Sequence, residues 1–189
     1  MTITQIQKQA VKERIYEAAL DTFYEKGYKD ATMREIADRA EIPVGLIYTY
    51  YKGKAELIEA IVEPVLEFVS SHMVYHENLD TNSYFAETQS MLMTLMLSRK
   101  AMIIAVDKSA GTKYENTKEL VINMVTKHIA NERPKITANF EEFHANILAI
   151  SFVEAVMAVA RNYESREWAA RMLTFITDRM FPSEIPRPA

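Results

Sequence analysis

Cysteine is absent from this chain, which removes a disulfide framework, a thiolate metal site and a cysteine nucleophile together. Glycine is scarce, with four in 189 residues, and no two lie close enough to form a phosphate-cradling loop. Only six prolines accompany them, too little turn chemistry for a β-rich protein. No serine is flanked by the glycines of a nucleophile elbow, and no His-Glu metalloprotease box occurs. Asp107, His128 and His144 show no spacing that assembles a catalytic set. The opening MTITQIQKQAVKER is polar and lacks the apolar core of a signal peptide. No apolar run is expected to reach the length of a membrane span. These absences leave a cytoplasmic, all-α protein that is not an enzyme and needs no cofactor or metal.

What is present is helical signal, and it is organised around residues 32–51, TMREIADRAEIPVGLIYTYY. Thr32 can cap a helix and Glu35, three residues on, completes a capping box. Met33, Ile36, Ala37 and Ala40 then share one face. Glu41 and Ile42 make a break. Pro43 suits the first position of a second helix, Val44 to Tyr50. Helix, short turn and small second helix form the unit that lays its second helix in the DNA major groove. Gly45 would let the backbone come close to a phosphate or base edge. Tyr48, Thr49 and Tyr50 offer hydroxyls to phosphates, and Val44 or Leu46 could touch a thymine methyl. Lys52 and Lys54 lie near the start of the next helix, where an ammonium favours a phosphate.

These residues resemble the DNA-binding signature of the tetracycline-repressor (TetR) family. Thr32, Ile36, Ala37, Ala40, Gly45, Tyr48, Tyr50 and Lys54 match its pattern, and Ile42, Ile47 and Tyr51 are conservative changes. Glu41 stands in place of a turn glycine, Pro43 in place of a serine and Gly53 in place of another serine. The resemblance implies an N-terminal three-helix DNA-binding domain over residues 1–53. A larger C-terminal helical domain over residues 54–189 would dimerise and bind an effector. It implies a homodimeric regulator, a repressor released from a near-palindromic double-stranded operator by a small, largely apolar molecule. Val44, Gly45, Leu46 and Thr49 would face bases. Tyr48, Tyr50 and Lys54 would hold phosphates, with Thr32 and Arg34 adding contacts. An alternative keeps the DNA reading and gives the C-terminal domain a protein partner, or dimerisation alone.

Charge qualifies this. The net charge is −4; residues 1–54 hold nine Lys/Arg and eight Asp/Glu (+1), and the remainder 13 and 18 (−5). Binding would therefore lean on placed contacts and dimerisation, with a modest salt slope.

The rest reads as a series of helices. A first helix over 5–26 is closed by Gly27. A long helix from Lys54 to about Tyr75 carries Pro64, which is expected to kink it. Helices over 84–97, 99–109, 116–130, 139–163 and 166–181 follow, with loops at 78–83 and 131–138 and a proline-rich tail. Between Ala145 and Ala160 the only charge is Glu154, so that helix should be buried on more than one side. Phe143, Ile147 and Ile150, with Trp168, Met172, Phe175 and Ile176 of the last helix, are the candidate dimer interface.

Eleven methionines suit an adaptable apolar pocket, although methionine at helical spacing most often fills a core. The pocket candidates are Tyr84, Phe85, Met91, Met93, Met96, Met102, Met124, Phe152, Glu154 and Met157. Glu154 could face a cationic ligand; pairing with Arg161 or Arg171 is the favoured reading. His72 and His76 share the i, i+4 spacing of helical metal ligands, but two solvated histidines near a helix end account for them better.

Overall fold

The computed structural model describes residues 3–73, 81–132 and 142–180. Helices run over Ile3–Asp30 (α1), Met33–Arg39 (α2), Val44–Ile47 (α3), Lys54–Met73 (α4) and Thr81–Leu97 (α5). They continue as Arg99–Asp107 (α6), Thr117–Glu132 (α7), Glu142–Arg161 (α8) and Arg166–Met180 (α9). No strand occurs among the described residues, so the all-α class expected from the sequence is the one observed. His76, the Asn139 capping position and the proline-rich tail lie outside the described residues.

The chain forms two compact units that each draw on separated stretches. The first comprises Met1–Glu67 with Lys100–Thr117, the second Phe68–Arg99 with Lys118–Ala189. The first unit is built on Ile15, Ala19 and Phe23 of α1, Ile36 of α2 and Ile47 of α3. Leu57, Ile58 and Ile61 of α4 and Ile104 of α6 complete it, and all are buried. Burying an aliphatic or aromatic side chain of this size stabilises by about 1.5–3 kcal/mol each, before the entropy of ordering it. α1 packs on α2, and α2 on α3.

Gly27 breaks the helical path inside α1, at φ 80 and ψ 165, a conformation that side chains disfavour. The first helical stretch thus closes at Gly27, as the sequence leads one to expect, and one further helical turn follows the break to Asp30. Released at this break, the Tyr28 N–H donates to the Lys108 carbonyl at 2.9 Å. The buried Thr22 hydroxyl is satisfied by the Ala18 carbonyl at 2.7 Å. In α4, Pro64 lies on an exposed face of a helix that continues to Met73.

In the second unit α9 packs on both α5 and α8. Its core includes Leu92, Leu95 and Met96 of α5, and Val125 and Ile129 of α7. Ala145, Ala149, Phe152, Val153, Val156 and Met157 of α8 join them, with Ala169 and Leu173 of α9. Gln89 reaches across from α5 to donate to the Thr177 hydroxyl of α9 at 2.6 Å. The Ser165 hydroxyl caps α9 by accepting from the Trp168 N–H at 3.1 Å.

One sequence expectation needs correction. Phe143–Arg161, 19 residues with a mean hydropathy of 1.7, is long and apolar enough to cross a membrane by length and composition. The buried side chains just named show why a core helix meets the same test: 44% of the span is buried inside the structure.

Candidate nucleic-acid interface

α2 begins where the capping box places it. The Thr32 hydroxyl accepts from the Glu35 N–H at 3.2 Å, and the Thr32 N–H donates to the Glu35 carboxylate at 3.0 Å. The Lys26 ammonium donates to the other Glu35 oxygen at 2.5 Å. That contact, with the Thr32 N–H, holds the Glu35 carboxyl below its usual range. Arg34 and Thr32 are both exposed on this first turn, the Thr32 side chain already engaged in the cap.

The turn after α2 is a Schellman motif. The Glu41 N–H donates to the Asp38 carbonyl at 3.2 Å, and the Ile42 N–H to the Ala37 carbonyl at 3.1 Å. Such a turn needs one left-handed residue, and Glu41 supplies it at φ 54. The side chain that replaces the expected glycine is thus carried in the glycine's conformation. The Arg14 guanidinium reaches over from α1 and donates to the carbonyls of Ala40 and, at 3.2 Å, of Glu41.

Pro43 is the N-cap of α3, not its first helical residue, because its ψ of 138 is still extended. The helix is also shorter than expected. It ends at Ile47, after which Thr49 donates to Leu46 at 3.1 Å and Tyr50 to Ile47 at 2.9 Å, bonds of i→i+3 type. Aromatic and β-branched residues over 47–51 are poor helix formers, which suits this tightening. Ile47 and Tyr51 anchor the segment in the core, at 0% and 5% exposure. Burial pushes the Tyr51 hydroxyl pKa up.

The opposite face is open. Val44 and Tyr48 are exposed at 42% and 54%, Gly45 and Thr49 are exposed beside them, and Leu46 and Tyr50 are half-buried. A Cβ built on Gly45 would meet nothing within 4 Å, so no packing within the chain requires a glycine there. Arg34 and Lys52 are exposed and make no ion pair among the described residues. Lys54 differs. Its ammonium donates to the Ala31 carbonyl at 2.8 Å and the Lys29 carbonyl at 3.3 Å, and lies 4.4 Å from the Tyr28 ring centroid.

Several acidic residues nearby are neutralised internally. Arg39 donates to both oxygens of Glu25, at 2.9 and 2.5 Å, and holds that carboxyl below its usual range. Lys100 donates to Asp21 at 2.6 Å, and Lys108 to the Tyr24 carbonyl at 2.5 Å. Lys113 pairs with Glu59 at 3.0 Å and Glu63 at 3.1 Å, and the Tyr114 hydroxyl donates to the same Glu63 oxygen at 3.0 Å. Burial is the main cause that pushes the Tyr114 pKa up to about 12. Residues 100–117 are thereby tied to α1 and α4 of the first unit, a link to which the sequence carried no local signal.

The residues singled out as ligand candidates are placed as follows. Met91, Met96, Phe152 and Met157 are buried in the second unit, and Phe85, Met93 and Met124 are half-buried there. Met102 is buried in the first unit. Tyr84 lies on α5, with its side chain outside the described set. Glu154 is half-exposed and paired with Lys118 and, at 3.4 Å, Arg161; the Lys118 contact is the main cause that lowers its pKa. Lys118 was not foreseen as this partner, since it stands far away in sequence. His72 shares its Nδ1 with the Phe68 carbonyl at 2.8 Å and stacks against the Phe68 ring at 4.1 Å. No group of three potential metal ligands occurs among the described residues.

α8 and α9 each expose large apolar side chains. Phe143, Ile147 and Ile150 are exposed at 68%, 46% and 42%, and Phe175 at 60%. Trp168, Met172 and Ile176 are half-buried. The expectation that α8 is buried on two sides is met on one side only within a single chain.

Residues 15–61, spanning α1 to α4, match the family model described as bacterial regulatory proteins, tetR family. The chain is similar to the probable HTH-type transcriptional regulator YttP of Bacillus subtilis, at 34% identity over 89 residues, 47% of this chain and 42% of that protein. It spans less than half of the length of this and other curated relatives it matches. Among solved structures it resembles the MbdR regulator from Azoarcus sp. CIB, with a TM-score of 0.69 at 18% identity over 93% of this chain and 99% of that one. It also resembles a transcriptional regulator from Aquifex aeolicus VF5, with a TM-score of 0.64 at 21% identity over 90% and 99%. At such identities the structures speak for the fold alone, while the sequence match rests on the helix-turn-helix segment. By sequence, residues 15–61 are therefore similar to the DNA-binding segment of the tetR family of bacterial regulatory proteins.

Proposed function

We propose that the protein is a homodimeric transcriptional regulator that binds a near-palindromic operator, with residues 1–53 as the reading head and residues 54–189 for dimerisation and effector binding. The observation that carries this is the open face of α3. Val44 and Gly45 of α3, and Tyr48 and Thr49 of the turn after it, are exposed on a segment anchored by Ile47 and Tyr51, and the cations Arg34 of α2 and Lys52 are exposed as well. A glycine with no neighbour inside the chain is what close approach of a DNA backbone would use. Val44, Gly45, Leu46 and Thr49 face the bases. Tyr48, Tyr50, Thr32, Arg34 and Lys52 meet phosphates. Lys54 contributes through its clamp on Ala31 and its residual charge.

A second copy covers the exposed apolar side chains of α8 and α9. That sets two reading heads about one helical turn of DNA apart, about 34–36 Å, or a multiple of it. The methionine-rich interior of the second unit is where a small, largely apolar effector would shift the spacing of the heads and release the operator, which makes the protein a repressor. A DNA-reading protein of this kind works in the cytoplasm.

Selection from a random duplex pool with the purified protein, followed by sequencing, tests the reading. An enriched inverted repeat with half-sites one turn or a multiple apart supports it. Recovery of no shared sequence from the apo dimer overturns it. Native mass spectrometry and a thermal-shift screen of lipophilic compounds then separate a ligand-released repressor from a dimer that meets a protein partner.

A further inference from the structure

We propose that Arg14 is a positioning residue that sets the direction of α3, and hence the register of base contacts; this rests on the DNA reading just given. α3 has only four residues, and its N-cap, Pro43, makes no side-chain capping bond. So short a helix does not fix its own axis. It inherits its direction from the turn at residues 40–43. The pivot of that turn is Glu41, whose φ of 54 is a conformation that a side chain opposes. Relaxation of Glu41 toward an ordinary right-handed or extended conformation would swing Pro43 and everything after it.

Arg14 opposes that relaxation directly. The dihedrals of Glu41 are the rotation between two peptide planes, one carrying the Ala40 carbonyl and the other the Glu41 carbonyl. Arg14 Nη2 donates to both oxygens. One guanidinium nitrogen therefore grips the two planes whose mutual angle must stay strained. The N–H groups of the same two planes, from Glu41 and Ile42, are held by the Asp38 and Ala37 carbonyls at 3.2 and 3.1 Å. The position also favours a cation, because the C-terminal carbonyls of α2 carry partial negative charge. Two residues earlier, Lys12 lies 5.7 Å from the ring centroid of Tyr51, just beyond the far end of α3. Lys12 and Arg14 of α1 thus contact the recognition segment on both sides of α3.

The test uses the full-length protein with Arg14→Ala, Arg14→Lys and the double variant Arg14→Ala/Glu41→Gly. Amide hydrogen exchange at Glu41 and Ile42 is measured without DNA. Affinity and half-site preference are measured on the duplexes selected by the wild type, well below each variant's melting temperature. Arg14→Ala is expected to speed Ile42 exchange about tenfold, weaken operator binding by a similar factor and flatten half-site preference. Arg14→Lys restores part of each, since one ammonium replaces the planar donor fork.

The double variant is the discriminating arm. Glycine adopts the left-handed φ without a side-chain penalty, so Glu41→Gly recovers preference and most of the affinity if Arg14 acts through the turn. A direct Arg14–phosphate contact would not be rescued in this way, and absence of rescue overturns the proposal. Unchanged exchange at Glu41 and Ile42 in Arg14→Ala overturns it as well. If the wild type enriches no DNA, the functional reading falls, while the exchange measurements still decide whether Arg14 holds the turn.

Discussion

The ammonium of Lys54 donates to the Ala31 carbonyl at 2.8 Å, and so joins the start of α4 to the chain segment that leads into α2. The contact is charge-assisted, half-buried and backed by the Tyr28 ring. Lys54→Met keeps the stem and removes the charge. Urea denaturation is expected to show a loss of about 1–2 kcal/mol. Operator affinity is expected to fall by the same factor on every sequence, because no base contact is touched. A variant as stable as the wild type would show that the ammonium is not a clamp.

Gly45 separates stability from recognition. It lies in a helix with open space around it, so Gly45→Ala should raise stability by about 0.5–1 kcal/mol through reduced chain entropy. On the proposed docking the same methyl group would stand between the backbone and the DNA, and operator affinity should drop about tenfold or more. Melting curves and titrations on one preparation read both effects. Unchanged affinity would remove Gly45 from the interface.

Acid should unfold the protein through its paired carboxylates. Glu25, Glu35, Glu63 and Glu154 are held below their usual range, chiefly by Arg39, Lys26, Lys113 and Lys118 respectively. A folded-state pKa below the unfolded value of about 4.3 means that the unfolded chain takes up protons first as pH falls. The stabilisation is complete above that value and disappears as pH drops through the folded pKa values. Denaturation midpoints should therefore be insensitive to these groups at neutral pH and fall below about pH 4. Glu35→Gln should reduce that acid-side slope, and an unchanged slope would mean that the Lys26 pair contributes nothing.

The exposed apolar side chains of α8 and α9 should hold the dimer together. Ile147→Asp places a charge among them while leaving the core of the single chain untouched. Dimer dissociation should become at least about a hundredfold easier, read by sedimentation, with the helical circular dichroism retained. A dimer of unchanged strength would move the interface elsewhere.

The fold was legible where the signals are local. The Thr32–Glu35 cap, the break at Glu41–Ile42 and the closing role of Gly27 all depend on residues a few positions apart. Boundaries slipped where a local rule met a second constraint. Pro43 was expected inside α3, yet its extended ψ makes it the cap. Tyr48 to Tyr50 were expected to be helical, yet the burial of Ile47 and Tyr51 on one side draws them into a tighter turn. The long-range partners were not legible at all. Nothing in the sequence links Arg14 to Ala40, Lys100 to Asp21 or Lys118 to Glu154, because each pair is made by packing and not by spacing. Lys54 shows the effect on the candidate site: nothing local in the sequence points to the Ala31 and Lys29 carbonyls that hold its ammonium.

Residues 100–117 belong to the first compact unit although the intervening stretch Phe68–Arg99 belongs to the second. The polypeptide therefore passes between the units three times. An N-terminal fragment cut after α4 would leave behind the chain that supplies Ile104 to its core and Lys108 to the Gly27 break. Swapping the reading head between relatives at one junction would separate these partners, so a working chimera has to carry residues 100–117 with the head. For the same reason, a substitution at Lys108 or Lys113, far along the sequence from the residues proposed to face DNA, would present in a genetic screen as a defect of the head itself.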